Sequence, residues 1–222
     1  MLQKPTLTFL KKLEQNNHKT WFDEHRPEYQ KAKNDFEILV QEIINGMIDI
    51  DLDFKDLTPR QCMFRINRDI RFSKNKTPYK TNIACSLKKG GKKSIYAGYY
   101  FHLQPGNRSF TGGGIWMPAS PELKKVRQEI DYCFSEFKEI IQAPSFKKTF
   151  HSLEREEGQV LVNIPKGYEK DNPAGEFLKL KSFFVTKPIQ DSELLKTDLL
   201  KQIIHDFKTI MPLNKFINRS FE

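Results

Sequence analysis

The chain has 222 residues, 38% hydrophobic and 29% charged, with 37 Lys and Arg against 28 Asp and Glu for a formal charge of +9. Leu, Ile, Val and Phe make up 61 of those residues, about 27%, which is enough to build a core and excludes a disordered chain. No apolar run reaches membrane-spanning length, and the opening MLQKPTLTFL has no apolar stretch of the kind a secretory leader carries. The three cysteines (Cys62, Cys85 and Cys133) are odd in number, widely spaced and outside any CxxC. That argues against a disulfide framework or a cysteine zinc site and sets the expectation of a reducing cytoplasm and no membrane partner.

In chain order, residues 6–15 read as a short helix with Leu7, Leu10 and Leu13 on one face. Trp21, Phe22, His25, Tyr29, Ala32, Phe36, Leu39, Val40, Ile43, Ile44 and Met47 draw a helical stripe. Pro27 interrupts it, because a proline ring clashes with the preceding turn, so the preferred reading ends one helix near His25 and starts a longer one with Pro27 in its first turn. Strand signals come next, at 62–66, 81–88, 94–104 and 108–116. The third alternates: Ile95, Ala97, Tyr99, Phe101 and Leu103 on one face, Tyr96, Gly98, Tyr100 and His102 on the other. Turn residues at Gly90-Gly91 and Pro105-Gly106-Asn107 suit an antiparallel meander. Ser120-Pro121 opens a helix to about 141. A further strand is expected at 181–187 and a last helix at 192–211. The expected architecture is one α+β domain over 1–222, with a helical part at 6–48, a sheet at 60–116 packed against helices 28–48 and 120–141, and a helical part at 120–222.

The charge is concentrated. Between Arg60 and Lys93 lie eleven basic residues and one acid, Asp69, a net charge of +10; the other 188 residues carry 26 basic and 27 acidic groups. Four of the nine arginines fall between Arg60 and Arg71. A guanidinium offers a planar fork that matches phosphate or carboxylate. An anion site is therefore expected from Arg65, Arg68, Arg71, Lys76 and Lys80, against the plainer readings of a solvated face or of arginines that merely pin a loop. A continuous strand through 64–72 would turn Arg68 toward the core, and burying an unpaired guanidinium is costly. The strand should break near Asn67, and Arg68 should be the most buried of the three, bonded to a carboxylate or to backbone carbonyls.

The run RINRDIRFSKNKTPYKTN, with WFDEHRPEY before it, GYYFHLQPG and FTGGGIWMP after it, and IPKGYEKDNP and LKLKSF further on, resembles the bacterial and fungal family known as domain of unknown function 2461 over nearly the whole chain. The resemblance implies a cytosolic single-domain α+β protein with no established activity and no catalytic residues to carry over. Its recurrent positions match Trp21, Phe22, Arg26, Tyr29, Arg65, Arg68, Asp69, Arg71, Phe72, Ser73, Pro78, Tyr79 and Lys80.

Other motifs are thinner. Gly112-Gly113-Gly114 could cradle an anion at Gly113, although glycine within a strand more often marks a bulge or a close backbone approach. The five histidines form no metal-binding spacing and the cysteines sit in apolar settings, so neither a metal nor a cofactor is expected. Tyr79, Tyr96, Tyr100 and His102 are candidates to line a pocket or stack on a base. The favoured reading is a domain that binds a phosphate-bearing small molecule or nucleic acid through 60–93. An alternative is an enzyme acting on a phosphate ester, with the arginines clamping charge and Asp69 as base; a third is a module that docks an acidic protein.

Overall fold

Proline near the start of a helix and a leucine every third residue are enough to set the first element. In the computed structural model, which describes residues 2–222, α1 runs Lys4–Gln15 with Pro5 in its first turn and buries Leu7, Leu10 and Leu13. The short helix α2 (Lys19–Glu24) comes next, and α3 (Arg26–Ile48) begins afresh with Pro27 in its first turn, where the missing N–H costs nothing. The chain then passes a single 3-10 turn at Leu52–Phe54 and α4 (Pro59–Cys62) before the first strand.

Four strands, β1 (Ile83–Leu87), β2 (Gly98–Leu103), β3 (Ser109–Ile115) and β4 (Phe183–Ile189), form one antiparallel sheet in the order β1-β2-β3-β4. Between β3 and β4 the chain makes α5 (Ser120–Tyr132), α6 (Phe134–Gln142), α7 (Pro144–Phe150) and α8 (Gly175–Leu178), and it ends in α9 (Leu199–Arg219).

The architecture is the expected α+β, with four corrections. The segment 62–66 is not a strand of the sheet: Cys62 closes α4, and the residues after it make only isolated bridges, Met63 to Cys85 and Asn67 to Tyr79. The strand expected from residue 94 starts at Gly98, and Ile95, assigned inward by alternation, is 51% exposed. The helix expected over 120–141 breaks at Cys133 into α5 and α6, and the last helix starts at Leu199 and runs through Pro212 to Arg219.

The chain divides into two compact units: residues 1–92, 100–111 and 188–205, and residues 93–99, 112–187 and 206–222. In the first, α1 and β1 both pack on α3, and Phe36 of α3 stacks on Phe101 of β2 at 5.8 Å. In the second, Phe137 of α6 meets Phe177 and Phe216, while Phe207 of α9 lies 5.0 Å from Tyr99. Thus Phe207 of α9 covers Tyr99. Alternation does hold inside β2: Tyr99, Phe101 and Leu103 are buried, whereas Tyr100 and His102 are half-buried on the other face.

Candidate functional site

The basic segment leaves α4 and runs beside the chain that enters β1. Phe64 N donates to Ala84 O (3.0 Å), Lys80 N to Ile66 O (2.8 Å) and Arg68 N to Pro78 O (2.9 Å). These bonds make a broken ladder with a loop at 69–77, because Arg68 could not continue a regular strand without facing the core. Arg68 instead turns its fork into the loop: Nη1 donates to the Thr77 carbonyl (3.1 Å) and the Thr77 hydroxyl, and Nη2 to Ser73 Oγ (3.4 Å). It is half-buried, whereas Arg65 and Arg71 are exposed. Lys76 Nζ caps the Ile70 carbonyl at 3.0 Å, and Asn75 Oδ1 accepts from Thr77 N at 2.9 Å in a local Asx turn. Arg68 and Lys76 therefore shape the loop from within, so two of the five expected anion ligands have their donors committed to it.

Arg71 is committed as well. Its Nε and Nη2 donate to the two oxygens of Asp69 at 2.9 and 2.6 Å. This fork holds the Asp69 carboxyl below its ordinary range, and Asp69 is exposed. A carboxylate whose proton affinity is lowered and whose oxygens face a guanidinium is a poor general base, which weakens the phosphate-ester enzyme reading.

The candidate pocket residues separate in the same way. Tyr79 is buried and stacks on Phe22 at 3.9 Å and 16°, with its backbone held by Asn17; it belongs to the core. Tyr96 precedes β2 and meets Phe221 edge-on at 5.9 Å. Gly113 is filled rather than open: a Cβ there would lie 2.7 Å from Gly98 O and 2.9 Å from Ile210 Cγ2. Its backbone is closely approached by β2 and α9 on that side.

Tyr100 and His102 do come together. On the half-buried face of β2 they meet Phe110 of β3, Tyr100 at 5.6 Å and His102 stacked at 4.8 Å and 12°. Phe64 joins the row 6.1 Å from Tyr100, and Lys80 Nζ stands 5.5 Å over the Phe64 ring. Phe64 and Phe110 escaped the sequence reading; the signal that could have found Phe110 is its place opposite β2 on the strand that alternates with it. Gln104 donates through Nε2 to Thr81 Oγ1 (3.0 Å), so its Oε1 faces His102 Nε2 (3.0 Å) and takes that proton. Nδ1 is left to accept from the Tyr100 hydroxyl at 3.2 Å. His102 is thereby set with its proton on Nε2, and burial lowers its pKa against the raising effect of the Gln104 bond. Burial also pushes the Tyr100 phenol up to about 12. Lys80 is lowered, first by burial and then by the charge of Arg65.

Charge at this face is smaller than the sequence total. Lys89 lies 3.6 Å from Asp53, and Lys92 Nζ donates to the carbonyls of Arg60 (2.9 Å) and Gln61 (3.1 Å). Among the described residues, no carboxylate makes an ion pair within 4 Å of Arg60, Arg65, Lys74, Lys80 or Lys88, and Arg65 lies within electrostatic reach of Asp69. The two buried thiols are unsuited to nucleophilic work, since burial raises Cys62 to about 11 and Cys85 further still. No group of three or more His, Cys, Asp or Glu among the described residues could hold a metal ion, and no helix there is long and apolar enough to cross a membrane.

An α+β chain with a four-stranded antiparallel sheet and an aromatic face beside unpaired cations is a structural class, not an activity. Comparison with known families is specific: residues 5–216 match the model of the family described as Conserved hypothetical protein (DUF2461), and the chain belongs to it. No curated protein and no solved structure matches the chain.

Proposed function

We propose that the protein binds a phosphate-bearing ligand with a stackable ring, a nucleotide or a nucleic-acid strand, on the face formed by Phe64, Tyr100, His102 and Phe110. The observation that carries this reading is Lys80 standing over the Phe64 ring of that aromatic row, with the exposed Arg65 within electrostatic reach of Lys80. Aromatic faces take bases of any identity at about 1–3 kcal/mol each, and a guanidinium beside them supplies the fork that a phosphate needs. The narrowed ligand set is Arg65 and Lys80 for charge, with Arg68, Arg71 and Lys76 holding the loop that carries them. We also read residues 1–222 as one folding domain working in the cytoplasm, where the buried Cys62 and Cys85 would stay reduced.

The test is titration of the whole chain with adenosine monophosphate and with a labelled twelve-nucleotide single strand. Binding of either probe that weakens at least tenfold in Arg65→Ala and in Phe110→Ala, with folding intact, supports the proposal. Retention of full affinity in both variants, or no binding by the wild type at low salt, rejects it.

A further inference from the structure

Phe72 stands at the tip of the loop 69–77 with its side chain 94% exposed. The loop beneath it is tied on both sides. Ser73 N donates to the Ile70 carbonyl at 3.3 Å, closing a tight turn around Phe72, and Lys76 Nζ donates to the same carbonyl at 3.0 Å. From within, Arg68 donates to the Thr77 carbonyl at 3.1 Å and to Ser73 Oγ at 3.4 Å. An isolated apolar side chain at a surface is ordinary, but this one is carried on a preformed loop in the most basic part of the chain. The charge beside it is of one sign. Arg71 spends its fork on Asp69 at 2.9 and 2.6 Å, and Asp69 is the only acid between Arg60 and Lys93, so the tip presents no free negative charge. The Arg71 guanidinium also lies 5.9 Å from the centre of the Phe72 ring. Lys74, two residues on, is exposed, with no carboxylate in ion-pair range among the described residues. A solvent-facing ring with a guanidinium against it and a free ammonium nearby can stack a base and meet its phosphate.

We propose, resting on the reading that Phe64, Tyr100, His102 and Phe110 take a base, that Phe72 is a second stacking platform for the same ligand, which makes that ligand a single-stranded nucleic acid and not a free nucleotide. Phe72 and the aromatic row belong to the same compact unit of the chain. Eight positions separate Phe64 from Phe72, so their Cα atoms lie at most about 29 Å apart even at full extension. A stacked strand rises about 3.4 Å per nucleotide, so twelve nucleotides span about 37 Å and can occupy both platforms. A mononucleotide has one base and can occupy only one. A duplex covers the faces of its bases with their neighbours, which leaves the single strand as the form that offers several faces at once. Lys74 would meet a phosphate beside the tip.

The experiment titrates the full chain with adenosine monophosphate and with the labelled twelve-nucleotide single strand, as wild type and as Phe72→Ala, Phe72→Leu, Phe72→Trp and Phe110→Ala. The Phe72 ring lies in solvent, so its three replacements remove no core contact and should melt with the wild type. Support is a loss of strand affinity of about tenfold in Phe72→Ala, within the range of one stacked base. Phe72→Leu should lose about as much, Phe72→Trp should keep wild-type affinity, and none of the three should change the affinity for adenosine monophosphate. Leucine keeps the apolar surface but not the flat ring, so full strand affinity in Phe72→Leu would overturn stacking. Full strand affinity in Phe72→Ala, beside a tenfold loss in Phe110→Ala, would overturn the second platform and leave the aromatic face standing. Equal losses of both probes in Phe72→Ala would overturn it too, because the tip would then belong to the first platform. Wild-type affinity for both probes in Phe110→Ala would remove the aromatic face itself, and the second platform with it.

Discussion

Asn17 holds Tyr79 by both edges of its amide: Oδ1 accepts from Tyr79 N at 3.0 Å and Nδ2 donates to Tyr79 O at 2.9 Å. Sixty-two residues apart in sequence, the two replace the strand pairing that the broken ladder cannot supply, while Phe22 covers the Tyr79 ring. Asn17→Ala should lower stability by about 1–3 kcal/mol, because both partners it strands are half-buried backbone groups. Asn17→Asp keeps the acceptor and should lose less. Urea denaturation checks the order, and an unchanged midpoint in Asn17→Ala would show that the clamp contributes nothing.

The three arginines of the loop are not interchangeable. Arg68→Ala removes donors to Thr77 and Ser73 and should cost about 2 kcal/mol, by the magnitude of hydrogen bonds from charged groups. Arg71→Ala removes an exposed pair with Asp69 and should leave the melting temperature within a degree or two, as exposed pairs contribute little. Arg65→Ala should leave stability unchanged and act on ligand binding alone. A calorimetric scan of the three variants separates these outcomes.

Much of this was legible in sequence where one physical rule dominates. Pro27 marked the start of α3, alternation over 94–104 gave the faces of β2 from Gly98 on, and alternation through 64–72, by conflict, gave the inward turn of Arg68. What failed were cases in which a distant partner decides. The apolar run Cys62–Ile66 looked like a strand, but α4 closes at Cys62 and only single bridges come after it. The charge sum overstated the free cations, since Asp53 lies outside the basic window and reaches Lys89 from another turn of chain. At Gly113 the close approach comes from the Gly98 carbonyl of another strand, which no local pattern announces. Asn17 had no local signal at all, since its whole effect is on a residue in another segment.

His102 gives a pH dependence with a defined sign. Burial lowers its pKa, with the Gln104 bond opposing and the charges of Arg108 and Lys80 adding to the fall. Between the folded and the ordinary histidine value the unfolded chain binds more protons, so stability rises with pH in that interval. The contribution is complete above the ordinary value near 6.5 and is lost on acidification down through the lowered folded value. His102→Phe should flatten the slope of stability against pH below about 6.5. A slope equal to that of the wild type in parallel denaturation curves at pH 5, 6 and 7 would remove His102 from the account.

Two glycines offer a contrast between hard and soft neighbours. At Gly114, φ is +118° and a Cβ would lie 2.1 Å from the Phe183 carbonyl oxygen, so backbone must move in both strands. Gly114→Ala should cost about 3 kcal/mol or more, the upper range of overpacking with a strained backbone added. At Gly46 the obstacle is the end of the Ile204 side chain, 2.3 Å away, on a residue that can change rotamer. Gly46→Ala also gains helix propensity of nearly 1 kcal/mol, so its net loss should be about 1 kcal/mol or less. Soluble yield and melting temperature of the two variants report the difference; equal losses would mean that Ile204 has no room to turn.

The division of the eleven basic residues predicts how binding responds to salt. A cation that neutralises a phosphate releases counterions, and for a single strand each contact adds about −0.7 to the slope of log affinity against log salt. Arg65 and Lys80 make no ion pair within 4 Å among the described residues, and Lys80 stands over the Phe64 ring with Arg65 in electrostatic reach, so replacing both with alanine should flatten the slope for the twelve-nucleotide strand by about 1.4. Lys76 and Lys92 spend their ammonium groups on the carbonyls of Ile70, Arg60 and Gln61. A carbonyl is neutral, so each ammonium keeps its charge but is held to its own loop; their replacement should lower stability and flatten the slope by less than Arg65→Ala or Lys80→Ala. Lys88 is the informative intermediate: it lacks an acidic partner, but it is half-buried, so its ammonium group is less accessible to a strand. Lys88→Ala should flatten the slope by less than either Arg65→Ala or Lys80→Ala. Titrations at three salt concentrations measure all of these, and a slope that falls equally for every lysine replaced would mean that the segment attracts polyanions as a diffuse charge, with no face of its own.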